Sequence, residues 1–164
     1  MSLEQYRRVI GQEFTKDANL IDRTIRGLGL DPTAGILDIG TGMGAMSILL
    51  AMNGFDVLTG QPEHDEELDE HQAHGQEHGG GHDHHHGCGG LDWRANARAL
   101  GVEAKIRFLY LDAEDLDLPA ASFDAAFMYD TLQHIGDRER ALNGCLRVVK
   151  PGGVLCVIEW NKRT

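Results

Sequence analysis

The stretch Ile36-Leu37-Asp38-Ile39-Gly40-Thr41-Gly42-Met43-Gly44 constrains the fold more than any other part of this chain. A short apolar run containing one acid breaks into three glycines at alternate positions, after which Met46, Leu49 and Leu50 recur at helical spacing. This is a strand, a tight turn and a helix start. Glycines without a Cβ let the backbone curl and approach a ligand closely. The helix N-terminus behind them offers unpaired N–H groups and the positive end of a dipole.

The rest of the chain repeats the same alternation. Ser2 with Gln5 fits a capping box, with Val9, Ile10 and Phe14 as the apolar stripe of a first helix. Leu20, Ile21, Thr24, Ile25 and Leu28 form a second helical stripe, with Asp17 as candidate cap and Gly29 as stop. Gly35–Ile39 is the first strand, apolar enough to be buried on both faces. The helix from Met43 stops at Asn53-Gly54, and Phe55 to Thr59 is the second strand. Short joints between strand, helix and strand imply parallel pairing. Ala95, Ala99 and Leu100 make a further helix, and Ile106 to Leu111 a third strand. Phe123 to Tyr129 is the fourth. Asp137 caps a helix burying Ala141, Leu142, Cys145, Leu146 and Val149; Lys150-Pro151-Gly152-Gly153 is a turn, and Val154 to Trp160 the fifth strand. The reading is a single alternating α/β domain over residues 1–164.

Charge narrows the partners. Of the net charge of −11, the interval between Arg26 and Arg94 contributes twelve acids and no Lys or Arg, and the remainder is near neutral. A chain without a basic stripe is not built for nucleic-acid backbone. No apolar run reaches the roughly 18 residues of a membrane span. The beginning lacks the apolar core of a secretory signal, and the three cysteines have no framework spacing. The expectation is a cytoplasmic protein.

The glycine turn is neither a dinucleotide fingerprint, because the third glycine comes one residue early, nor a Walker loop, because Gly-Lys-Ser/Thr is absent. Its pattern is Asp-x-Gly-x-Gly-x-Gly. An acid there repels a pyrophosphate and attracts an ammonium, so a ligand with an amino-acid end and a nucleoside end fits best. Ile-Leu-Asp-Ile-Gly-Thr-Gly-Met-Gly resembles the first motif of class I S-adenosylmethionine-dependent methyltransferases. Leu111-Asp112-Ala113-Glu114-Asp115-Leu116 is similar to their loop after strand three, and Ser122-Phe123-Asp124-Ala125-Ala126 to their entry to strand four. Leu132-Gln133-His134-Ile135 and the run from Leu146 to Val154 resemble later motifs of the ubiquinone/menaquinone-biosynthesis type.

The resemblance implies a Rossmann-like doubly wound sheet, five mainly parallel strands in the order 3-2-1-4-5, without the family's usual final two strands. It implies S-adenosylmethionine as cofactor and a small-molecule acceptor. Asp38, Gly40, Thr41, Gly42 and Gly44 would hold the methionine portion; the other reading of Asp38 is a capping residue of the turn. Asp112 and the Ala113 N–H would meet the adenine, or Asp112 is a plain loop cap. Where the family carries a ribose-binding acid at the end of strand two, this chain has Gln61, with Glu63 two positions on; that departure lowers the expected affinity. Tyr129 and His134 follow strand four, His134 being the candidate base, or a polar residue that merely packs over the cofactor. With the last two strands missing, strand five is an exposed edge, and a homodimer or a partner there is expected.

From 64 to 90 the chain is nearly all His, Asp, Glu, Gln and Gly and holds eight of its nine histidines. Such composition cannot bury a core and reads as a solvated insertion. His82, His84, His85, His86 and Cys88 put five N/S ligands into seven residues, with His78 nearby. Imidazole and thiolate suit a divalent transition metal such as Zn or Ni. Two functions follow: a methyltransferase regulated by metal, or a degenerate methyltransferase fold that binds, senses or carries a transition metal (Zn, Ni, Cu or Co) without methyl transfer.

Overall fold

The computed structural model of the chain describes residues 2–63 and 92–160. Its centre is a five-stranded sheet, β1 (Gly35–Ile39), β2 (Asp56–Gln61), β3 (Ile106–Tyr110), β4 (Phe123–Tyr129) and β5 (Val149–Ile158), in the order β3-β2-β1-β4-β5. Every neighbouring pair is parallel. Helices α1 (Leu3–Ile10), α2 (Ala18–Gly27), α3 (Ala45–Met52), α4 (Trp93–Ala99) and α5 (Arg138–Val148) complete the alternation. The predicted fold class and strand order are those observed.

Strand periodicity sorts the core into two layers. Ile36 of β1 with Ala125 and Phe127 of β4 faces a cluster that includes Tyr6, Ile25, Ile48, Leu49 and Ala97, supplied by α1 to α4. Leu37, Ile39, Ala126 and Met128 face Ala141, Cys145 and Val148 of α5 and the loop residues Leu111, Ala113 and Leu116. β1 is buried on both faces, as its apolar run predicts.

Local signals act where expected. The Ser2 capping box is formed in both directions, Gln5 N–H to Ser2 Oγ at 3.3 Å and Ser2 N–H to Gln5 Oε1 at 3.0 Å. Asp137 Oδ1 accepts from the Arg140 N–H at 3.0 Å and starts α5. Asp17 stands at the head of α2, but its side chain caps nothing.

Several boundaries differ from the sequence reading. The helix expected from Met43 starts at Ala45, because Gly44 is in the left-handed conformation (φ +86°) and cannot continue a right-handed helix. β2 runs two residues past Thr59, because Gly60 and Gln61 still pair with Leu109 and Tyr110 of β3. The Lys150-Pro151-Gly152-Gly153 run is extruded from within β5. Phe123 lies opposite Val149, and Ala125, two residues on, lies opposite Val154. β5 ends at Ile158, before Trp160.

Candidate functional site

The carboxyl ends of parallel strands are where open α/β sheets bind ligands. Here the turn from Gly40 to Gly44 links β1 to α3, and all three of its glycines have positive φ: +89°, +50° and +86°. Their surroundings differ. A Cβ on Gly40 would meet Thr131 Oγ1 at 2.3 Å, and one on Gly44 would meet Trp93 Cβ at 3.0 Å, so both are packed from behind. Gly42 faces open space, with nothing within 4 Å of its Cβ position.

The amides of the turn are partly committed. Gly40 N–H donates to Gly60 O and Gly44 N–H to Thr41 O, both at 2.8 Å. Gly42 N–H donates to Gln61 Oε1 at 3.2 Å. The N–H groups of Thr41 and Met43 have no acceptor among the described residues. They are available to an anionic ligand group at a helix N-terminus.

Asp38 lies beneath this turn and is fully buried. Sharing the face of Ile36, it points toward α3, where Oδ2 accepts from the hydroxyls of Ser47 and, at 3.1 Å, Thr59. Thr59 Oγ1 also lies 3.0 Å from Thr41 Oγ1, which ties the acid to the turn. Oδ1 has no partner among the described residues. Burial pushes the Asp38 carboxyl up to about 7, the two hydroxyl bonds opposing the shift. Thus Asp38 organises the turn from below, and its second oxygen is an acceptor deficit that a proton or a cation would fill. The sequence reading gave it two alternative roles, turn cap or ammonium partner; its bonds run to the Ser47 and Thr59 hydroxyls and to no N–H of the turn, and Oδ1 is left without a partner among the described residues.

Above Asp38 sits Tyr6. Its hydroxyl donates to Ala45 O at 2.8 Å, anchoring α1 on the first residue of α3. Burial, together with the Tyr129 and Asp38 charges, holds this phenol well above the usual tyrosine range, so it remains a donor. Sequence reasoning missed Tyr6, which carries no signal beyond ordinary helix periodicity.

Gln61, Asp112 and Ala113 continue the edge. Leu111 N–H donates to Gln61 O at 3.0 Å, bringing the loop after β3 beside the end of β2. Asp112 Oδ1 accepts from Glu114 N–H at 2.9 Å, which is the cap reading of Asp112, while Ala113 is buried. Glu63 is exposed.

On the other side of the turn β4 ends at Tyr129, half-buried, its ring centroid 6.5 Å from that of Trp160. Asp130 takes a positive φ of +52°. Burial and the Glu159 carboxylate raise its carboxyl, His134 and a hydrogen bond with Trp160 opposing. Thr131 Oγ1 lies 3.1 Å from Ile39 O and 3.0 Å from Tyr129 O, its single proton shared between them. Glu159 Oε1 accepts from Leu132 N–H at 2.8 Å. His134 is exposed on the turn Leu132–His134, its Nε2 3.3 Å from Gln133 Nε2, whose carboxamide also donates to Asp130. Thr131 and Glu159 were not singled out in the sequence, although Thr131 lies two residues past the end of β4 and Glu159 directly follows β5.

The predicted metal ligands His78, His82, His84, His85, His86 and Cys88 lie outside the described residues. Among the described residues no group of three or more His, Cys, Asp or Glu could hold a metal ion. An open groove lined by Leu58, Arg94, Ile106, Arg107, Phe108 and Leu109 belongs to the β3 edge and includes no residue of the glycine turn.

Comparison with known proteins supports the fold. Residues 90–157 match the family described as a methyltransferase domain. The ubiquinone/menaquinone biosynthesis C-methyltransferase UbiE of Pseudomonas savastanoi pv. phaseolicola is 42% identical over 65 residues, 40% of this chain and 25% of that protein. Its counterpart in Pasteurella multocida is 36% identical over 69 residues, 42% of this chain and 26% of that protein. These matches span about a quarter of the curated relatives' length. Among solved structures, an S-adenosylmethionine-dependent methyltransferase from Aquifex aeolicus superimposes with a TM-score of 0.64 over all of this chain and 76% of its own, at 18% identity, which shows the fold. The [4+2]-cyclase SpnF superimposes with a TM-score of 0.61 at 26% identity, over 87% of this chain and 46% of its own. One fold therefore carries more than one chemistry.

Proposed function

We infer that this chain, a member of the class I S-adenosylmethionine-dependent methyltransferase family, binds S-adenosylmethionine along the carboxyl edge of its sheet and transfers the methyl group to a small molecule. The observation that carries this is the continuity of the edge. The end of β2 bonds the glycine turn through Gln61, the loop after β3 bonds Gln61, and Thr131 after β4 bonds the end of β1.

The cofactor supplies an electrophilic methyl on a sulfonium that leaves as a neutral thioether, so the protein's task is positioning and exclusion of water. The uncommitted N–H groups of Thr41 and Met43 suit the amino-acid carboxylate. Asp38, from beneath, favours the ammonium through its field. Gln61, with Glu63 nearby, meets the ribose, and Asp112 with the Ala113 N–H meets the adenine. Tyr129 walls the methyl end. His134, on the turn after β4, is the candidate to take a proton from the acceptor. Isothermal titration with S-adenosylhomocysteine tests the reading: one saturable site is expected, and no binding up to millimolar concentration overturns it.

A second reading keeps the fold and drops the transfer. Gln61 is neutral where an acid would bind ribose, and residues 64–90 hold eight histidines, so a transition-metal binder is favoured by the same chain. Metal regulation of a working enzyme is the intermediate case. Ligation needs neutral imidazole, so zinc or nickel affinity should fall below about pH 6.5. Titration with each metal, with and without S-adenosylhomocysteine, separates the cases: linked affinities support regulation, and metal binding alone supports the carrier.

The cytoplasmic assignment rests on the odd cysteine count. No helix among the described residues is long and apolar enough to cross a membrane. A homodimer through β5 is supported by its outer edge, for which β4 is the sole strand partner among the described residues. A monomer in sedimentation at high concentration would remove that reading.

A further inference from the structure

The sheet has a second edge, at β3, which the proposed cofactor site does not use. β2 is the sole strand partner of β3 among the described residues. Leu111 N–H donates to Gln61 O, and bonding alternates along a parallel strand, so the N–H and C=O groups of Phe108 and Tyr110 point away from β2. A groove of about 400 Å3 runs against this edge and draws its lining from both faces of the strand. Ile106 and Phe108 lie on the face of Trp93, whose ring stacks on that of Phe108 and carries the Arg94 guanidinium 4.6 Å from its centroid. Arg107 and Leu109 alternate onto the other face, beside Leu58. Leu109 and Tyr110 are 48% and 63% exposed, and Arg107 has no ion pair among the described residues. An open backbone edge, with apolar side chains and a guanidinium on each face, suits an extended strand that carries acids around an apolar residue.

A second copy paired through β3 would set Arg94 and Arg107 near their own counterparts, like charge on like. The chain itself carries a better match. The residues beyond Glu63 leave from the end of β2, where Gln61 pairs with Tyr110, and the chain returns at Asp92, next to Trp93. From 64 to 91 there are seven acids and no Lys or Arg; five of the acids flank Leu68 in Asp65-Glu66-Glu67-Leu68-Asp69-Glu70. Alternation along an extended strand gives acids to both faces, where the two guanidiniums stand. From Glu63 to Glu70 an extended chain reaches about 24 Å, enough to round the end of β3 and run back along it.

We propose that residues 65–70 dock on the outer edge of β3 as an antiparallel strand, bonding the backbone of Phe108 and Tyr110, with Leu68 in the groove and carboxylates against Arg94 and Arg107. The tether keeps their effective concentration at the edge high, which shields it from other strands. This docking is independent of cofactor binding.

Hydrogen exchange of the full chain, followed by 1H–15N spectra at the Phe108 and Tyr110 amides, tests it, with the Leu111 amide as the reference that β2 already holds. The two outward amides should exchange at least about tenfold faster in Leu68→Ser, and in a variant with the five acids of 65–70 changed to Asn and Gln, while Leu111 is unchanged. Protection lost in either variant sustains the docking and shows whether the apolar or the charged contact dominates. Equal exchange in the wild type and both variants overturns it. So does protection that grows with protein concentration alongside dimers in sedimentation, because a second copy then covers the edge. Where Leu111 also speeds up, the sheet itself has loosened, and Arg107→Glu, an exposed change that repels the acids, takes the place of that variant.

Discussion

Thr131 Oγ1 stands 2.3 Å from where a Cβ on Gly40 would be, so the hydroxyl that follows β4 fills the space the turn glycine leaves empty. That hydroxyl lies within hydrogen-bond reach of both Ile39 O and Tyr129 O, which joins the ends of the two central strands. The turn is thus shaped from behind by a residue more than 90 positions away in sequence.

Gly40→Ala should destabilise the fold by about 2–4 kcal/mol, combining the left-handed conformation with the overlap. Thr131→Ala removes the overlapping atoms and should relieve about 1 kcal/mol or more of that loss. Urea unfolding of the two single variants and the double variant measures the coupling, and strict additivity would disprove the contact.

Asp38 should make stability depend on pH. Its folded carboxyl is raised from the ordinary 3.8 to about 7, so the folded state holds a proton that the unfolded chain has released. Between about pH 4 and pH 7 its contribution therefore falls as pH rises, on the order of 4 kcal/mol across the window at most. Asp38→Asn has no such titration. Its stability relative to the wild type should improve steadily from pH 4 to 7 and level off above, as followed by urea midpoints at each pH.

Ser47→Ala should cost about 1–3 kcal/mol, because it strips a hydroxyl donor from a fully buried carboxylate oxygen. The loss should be larger at pH 8 than at pH 5, where the carboxyl is protonated and needs the donor less. Thermal unfolding at the two pH values checks the sign.

Tyr6→Phe should cost about 1 kcal/mol through the lost bond to Ala45 O, with the ring still packed. The local effect should exceed the global one: hydrogen exchange of the α1 amides should speed up while β1 and β4 remain protected.

Much of this architecture is legible from local pattern. The bounds of β1 and β4 follow from apolar runs, the heads of α1 and α5 from Ser2 with Gln5 and from Asp137, and the tight turn after β1 from Gly40, Gly42 and Gly44. These are decisions a chain makes within a few residues, through side-chain alternation, orphan N–H groups and positive φ. The end of β2 was misjudged by two residues, because pairing with β3, and not composition, extends it.

Sequence alone determined that a strand, a glycine turn and a helix would follow one another from Gly35 to Met52. Tertiary structure decided what those residues touch. Whether Asp38 faces solvent or lies beneath the turn depends on α1 and α3 packing over it, and α1 arrives through Tyr6, 39 residues from its acceptor. That Gln61 spends its oxygen on Gly42 depends on β1 and β2 lying side by side in register. Periodicity specifies which face of an element is buried, but a hydrogen bond across elements exists only once the sheet has fixed their distance.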